Sequence, residues 1–159
     1  MGQRREISFA ERLPIPAIGL PDLPGGSDET NPLEIFVVYT SVQATVIALT
    51  RAAALAKGLN ARLRFVMLNL IPYPLPLETP PVRCDFSERR LLDIVIASPV
   101  ETTVQLCMCR QRFETLVALL RPRSLVVIGG RKTWWPTKEE KLARELGRAG
   151  HEVILAESN

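Results

Sequence analysis

The chain predicts an α/β domain built on one five-stranded parallel sheet with helices on both faces, a three-layer architecture. Three observations carry this. Short runs rich in β-branched and aromatic residues recur along the sequence. The segments between them repeat apolar residues at helical spacing. The two kinds of segment alternate, and right-handed crossovers then give a parallel sheet covered on both sides. A chain of 159 residues and 17.7 kDa suits one such domain.

The elements follow in order. Residues 1–32 hold five prolines and the breaker run Pro24-Gly25-Gly26-Ser27-Asp28, with no period of 2 or 3.6. They read as an extended or disordered arm, although Leu13, Ile15, Ile18, Leu20 and Leu23 suit docking on a surface. The folded domain spans 33–159. Ile35-Phe36-Val37-Val38-Tyr39 is the first buried strand, and Thr40 and Ser41 offer caps for the helix after it. Val42, Val46, Leu49, Ala53 and Ala56 mark that helix's inner face, and Gly58 is placed to end it. Residues 62–70 form the second strand, apolar on both sides in its later half.

Residues 71–85 contain five prolines and predict a stiff loop. Ser87 to Ala97 suits a short helix ended by Pro99. Residues 100–108 alternate as a third strand, with Val104, Leu106 and Met108 on one face and Gln105, Cys107 and Cys109 on the other. Phe113, Leu116, Val117 and Leu120 line the next helix, closed by Pro122. Ser124 to Gly130 is a strand running into a double glycine, read as a tight turn. Thr137 and Glu140 form a capping box for a helix with Leu142, Leu146 and Ala149 as its stripe. Gly150 stops it, and Glu152 to Ala156 is the last strand.

Composition narrows the function classes. Apolar residues are 47% and charged residues 23%, ordinary for a globular protein. No apolar run is long enough to span a bilayer, and prolines interrupt the N-terminus, so the expectation is a cytoplasmic protein without a membrane partner. Residues 1–32 carry net −2 and the remainder +5, of mixed sign throughout. That is a solvated surface rather than the dense basic patch of a nucleic-acid binder. Cys84, Cys107, Cys109 and His151 match the ligand count of a structural zinc site, but the spacing lacks paired ligands on turns, so no metal is expected.

Five strands alternating with four helices, a proline-rich segment after the second strand and SLVVIGGR at the fourth together resemble the universal stress protein family over residues 33–157. The resemblance implies an adenine nucleotide alpha hydrolase-like fold with strand order 3-2-1-4-5. ATP-binding members carry an Asp at the end of the first strand and G-x2-G-x9-G-[S/T] after the fourth. Here the Asp position is Tyr39. Gly129 matches the first glycine, whereas Lys132, Leu142 and Ala143 occupy the other three positions. ATP or AMP is therefore not expected as a cofactor. Glu139 and Glu140 in the first turn of the last helix would also repel a phosphate.

Candidate ligand-binding residues are Tyr39, Thr40, Ser41, Gly129, Gly130, Arg131 and Lys132, at the strand ends where open α/β sheets bind ligands. Trp134 and Trp135 are open between packing over the last helix, contacting a partner and stacking on a ligand. In the resembling topology the last strand is a sheet edge. Val153, Ile154 and Leu155 lie in it with no proline or lysine to block pairing. The resemblance implies a homodimer through that edge; the arm is the other candidate to cover it. The sole histidine is His151, and no nucleophile elbow, P-loop or paired carboxylates appear. The leading reading is a regulatory or binding module with a degenerate nucleotide site, acting through dimerisation and an unidentified protein partner. The alternatives are a small-molecule or nucleotide binder using the remodelled crevice and, third, an enzyme on the same crevice.

Overall fold

The computed structural model describes residues 33–76, 89, 93–96, 98, 100–131 and 133–158. The arm 1–32, Cys84 and Lys132 lie outside the described residues, as does most of the segment between the second and third strands. The elements run β1 (Glu34–Val38), α1 (Val42–Leu59), β2 (Arg62–Leu70), β3 (Thr102–Cys109), α2 (Arg112–Leu119), β4 (Leu125–Arg131), α3 (Lys138–Arg148) and β5 (Glu152–Ser158). Residues 93–96, between β2 and β3, are helical as well.

The five strands form one parallel sheet in the order β3-β2-β1-β4-β5. This is the predicted order, and it makes β5 an edge. The chain winds from β1 outward to β3, returns across the sheet to β4 and continues to β5. With right-handed crossovers the direction change moves the helices from one face to the other. Accordingly α1 and residues 94–95 share one core with Ile35, Val37, Leu63, Phe65, Val104 and Val127. Helices α2 and α3 share the other with Phe36, Val38, Val66, Val126 and Ile128. The alternation along each strand sorts these side chains.

At the N-terminal end of the sheet Glu34 accepts from Arg64 Nη2 at 2.8 Å, and Arg121 Nη2 lies 3.9 Å from its other oxygen. The Arg64 guanidinium also sits 5.7 Å from the centre of the Phe36 ring. The pair fixes β1 to β2 across the register Glu34–Arg62 to Val38–Val66.

Several local expectations are corrected. The buried face of α1 is Ala44, Thr45, Ala48, Leu49, Ala52, Ala53 and Ala56, while Val46 is 43% exposed and Val42 half-buried. The inner stripe is thus one of alanines, rotated from the valine positions. Gly58 lies inside the helix, and Asn60 ends it in the left-handed conformation, φ 51°. Gly129 and Gly130 are not a turn. They lie inside β4, paired with Ala156 and Glu157 of β5. Ala149, expected on the inner stripe of α3, is exposed.

Candidate functional site

The C-terminal ends of β1 and β4 meet the N-terminus of α1, and the nominated residues Tyr39, Thr40, Ser41, Gly129, Gly130 and Arg131 converge there. Tyr39 stacks edge-on against Phe65, ring centres 6.3 Å apart, and its N–H donates to the Val66 carbonyl. The Thr40 hydroxyl donates to the Gly129 carbonyl at 3.2 Å, and its N–H donates to Thr45 Oγ1 at 3.3 Å. Ser41 is the N-cap of α1, accepting from the Ala44 N–H at 3.4 Å. Two strand ends and a helix start are thereby tied together by their own polar groups.

Gly129 serves this approach sterically. A Cβ there would overlap the Ala44 carbonyl, so β4 and α1 come together only because the residue has no side chain. Gly130, on the opposite sheet face, would bring a Cβ to 3.1 Å from Leu155 Cδ1. The double glycine serves close packing on both faces of β4.

Arg131 leaves the end of β4 exposed and donates to Gln43 Oε1 at 2.7 Å. Beside this bond a cleft of about 660 Å³ is lined by Val42, Gln43, Ala44, Val46, Ile47, Arg131 and Thr133. Of the candidates only Arg131 lines it; Val42, Gln43, Ala44, Val46, Ile47 and Thr133 were not nominated. Val46 and Val42 had been assigned to the core, which hid their place at a surface. Gln43 carried no sequence signal at all.

Trp134 and Trp135 are 95% and 78% exposed. Neither packs over α3, contrary to the packing option, because the loop is turned outward. Thr133 Oγ1 holds it by donating to the Trp135 carbonyl at 2.7 Å. Thr137 caps α3 as expected, accepting from the Glu140 N–H, and Glu139 and Glu140 occupy its first turn. Val153, Ile154 and Leu155 are half-buried on the β5 edge strand.

Another part of the strand-end rim lies over β2 and β3. Arg110 stacks on the Tyr73 ring at 4.0 Å and donates to the carbonyls of Ile71 and Leu75. It clamps the start of the proline-rich loop to the end of β3. Below it, Cys107 and Cys109 are free thiols facing the α2 side. Burial pushes the Cys107 thiol up to about 11, and the neighbouring Cys109 adds to the rise. Burial also raises Cys109, against the lowering effects of a Thr115 hydrogen bond and Arg112. Both are protonated packing groups at neutral pH. Among the described residues no three His, Cys, Asp or Glu side chains converge to hold a metal, and no helix is long and apolar enough to cross a membrane. His151 is half-buried, its Nδ1 without a hydrogen-bond partner.

Comparison with solved structures follows this geometry. A universal stress protein family member from Burkholderia pseudomallei is 24% identical, with a TM-score of 0.53 over 77% of this chain and 93% of its own. The universal stress protein from Archaeoglobus fulgidus is 17% identical, with a TM-score of 0.55 over 77% and 92%. A universal stress protein in complex with cAMP is 14% identical, with a TM-score of 0.52 over 82% and 100%. The fold is that of the universal stress proteins. No protein-family model matches the sequence, and no curated protein does either.

Tyr39 packs on Phe65 at the edge of the α1-side core. Leu142 and Ala143 lie within α3, which begins at Lys138. Leu142 is buried against Leu116 and Ile128 in the core.

Proposed function

We propose that the protein is a cytoplasmic regulatory or binding module of universal stress protein type, with a degenerate nucleotide site, acting through homodimerisation and partner contact. One observation carries the reading: the polar groups at the crevice are engaged with the protein itself. Thr40 is bonded to Gly129, Ser41 to Ala44 and Arg131 to Gln43. A nucleotide would have to break these bonds, and it would meet Glu139 and Glu140 at the start of α3. Titration calorimetry with Mg-ATP and with cAMP, the ligand of one structural neighbour, is the test. The expected result is no heat of binding at micromolar concentrations, and a micromolar Kd for either overturns the degenerate-site reading.

The homodimer reading rests on β5. It is an edge strand carrying Val153, Ile154 and Leu155, and self-pairing about a two-fold axis would satisfy its free backbone groups. Light scattering should give twice the chain mass, and Ile154→Pro should return it to a monomer. A wild-type monomer at micromolar concentration rejects the dimer.

The second reading is a small-molecule site in the cleft bounded by Val42, Val46, Ile47, Arg131 and Thr133. Its volume of about 660 Å³ favours it, being in the range of ligand pockets. A thermal-shift screen of nucleotides and small anions separates the two readings. A ligand at 100 times its Kd stabilises the native state by about 2.7 kcal/mol.

A further inference from the structure

The upper cleft is not isolated. A second cleft, of about 460 Å³, is lined by Val46, Leu49, Thr50, Ala53, Ala54, Lys57, Ile94 and Ser98, and the two share Val46. Together they make a track along one flank of α1, beside Ile94 and Ser98. It begins at Lys57, near the C-terminal end of the helix, and finishes beside Arg131 and Thr133, where Trp134 and Trp135 stand exposed. An apolar track with two exposed aromatic rings next in the chain to its last lining residue, Thr133, has the chemistry that binds proline-rich extended segments.

This chain carries such a segment. Residues 13–24 read Leu-Pro-Ile-Pro-Ala-Ile-Gly-Leu-Pro-Asp-Leu-Pro. Four prolines hold φ near that of the polyproline II helix, which lowers the entropy lost on docking. Five aliphatic side chains alternate with them.

The lengths agree. The arm joins the domain at Leu33, whose carbonyl accepts from the Arg62 N–H just beyond the end of α1. The arm therefore enters at the Lys57 end of the track. From Lys57 to Val42 the helix rises about 23 Å at 1.5 Å per residue. Twelve residues of polyproline II span about 37 Å, enough to follow the track and cross the tryptophans. Gly25 to Pro32 allow the chain to reverse direction. The charges agree as well: the arm is net −2 against a domain of +5, and Asp22 would enter beside Lys57.

We propose that residues 13–24 dock in cis along the α1 track as a polyproline II segment and cover Trp134 and Trp135. This inference does not rest on the nucleotide or homodimer readings; it fills the cleft that the small-molecule reading needs open and leaves β5 to a partner other than the arm. It makes the tryptophan loop a surface that any other partner must compete for.

The tryptophans report on it directly, since Trp134 and Trp135 are the chain's two tryptophans. Acrylamide quenching of the full-length protein should be several-fold weaker than that of free N-acetyl-tryptophanamide, at every protein concentration tested. The full-length arm variant Ile15→Asp/Ile18→Asp/Leu20→Asp should raise quenching close to the free value with an unchanged far-UV circular dichroism spectrum. Val46→Asp, at an exposed helix position, should do the same from the domain side. Wild-type quenching already at the free value overturns the proposal. So does protection that survives the arm variant or Val46→Asp. Protection that grows with protein concentration also overturns it, because the occupant is then a second copy.

Discussion

The two faces of the sheet are filled by different means. Under α1 the helix contributes mostly small groups: Ala48, Ala52, Ala53 and Ala56 meet Ile35, Leu63, Phe65 and Val127 of the sheet, and Ala44 comes against Gly129. Under α2 and α3 the helices contribute large ones: Leu116, Leu120, Leu142 and Leu146 meet Phe36, Val38, Val66 and Ile128. The first face brings backbone near backbone, which leaves no room for added atoms. The second depends on filled volume, so it is sensitive to atoms removed. The small-group face also holds the candidate site, because the approach of α1 to β4 is what places Thr40, Ser41 and Arg131 together.

The largest effect is expected at Gly129. Its Cβ would fall on the Ala44 carbonyl, which is backbone and cannot rotate aside. Gly129→Ala should cost about 3 kcal/mol or more in urea denaturation. A loss below about 1 kcal/mol would mean that α1 can lift from the sheet, and the contrast between the faces would fail. On the other face Leu146, fully buried in α3, is the matching probe. Leu146→Ala should cost about 3 kcal/mol through the cavity it leaves, with the Gly129 neighbourhood undisturbed.

The same contrast explains what could be read in advance. Strand positions were legible because Phe36-Val37-Val38 and the LVVI run of β4 are unmistakably β-branched and aromatic, and alternation with helices dictates the sheet. The stripe Leu142 and Leu146 was legible because large apolar residues mark a face wherever volume fills the core. On α1 the expected Leu49, Ala53 and Ala56 are buried, but Ala44, Ala48 and Ala52 carry little hydrophobic signal, so Val42 and Val46 were named in their place. Those valines sit beside the cleft instead. Ser41 as a cap followed from residue type alone, whereas the edge-on contact of Tyr39 with Phe65 did not. Gln43 as the partner of Arg131 is a contact across 88 residues, which local pattern does not encode.

A smaller effect, confined to high pH, tests the crowding of the large-residue face at β3. The Cys107 thiol holds its proton to about 11 in the folded chain, against an ordinary value of 9.0. Between those values the native state binds more protons than the unfolded one, so stability falls as pH rises. The contribution is complete below about pH 9 and is lost on approaching 11. Urea midpoints should therefore decline more steeply from pH 9 to 11 in the wild type than in Cys107→Ala. Parallel declines would place Cys107 in contact with water.

The smallest effect is expected one residue from the largest. Gly130 follows Gly129 in β4, and the strand's alternation turns it to the opposite face. There an added Cβ meets no backbone. Its nearest neighbour is Leu155 Cδ1 at 3.1 Å, the end of a half-buried side chain on the outermost strand. A change of leucine rotamer relieves that contact, and the lost backbone freedom of glycine in the unfolded chain works in favour of alanine. Gly130→Ala should consequently shift stability by less than about 1 kcal/mol in either direction. The pair makes a strict test, since both substitutions add one methyl group to adjacent residues of the same strand. Equal costs would show that strand propensity or β4–β5 pairing sets the penalty. Unequal costs, large at Gly129 and small at Gly130, would assign it to the approach of α1, the contact on which the candidate site is built.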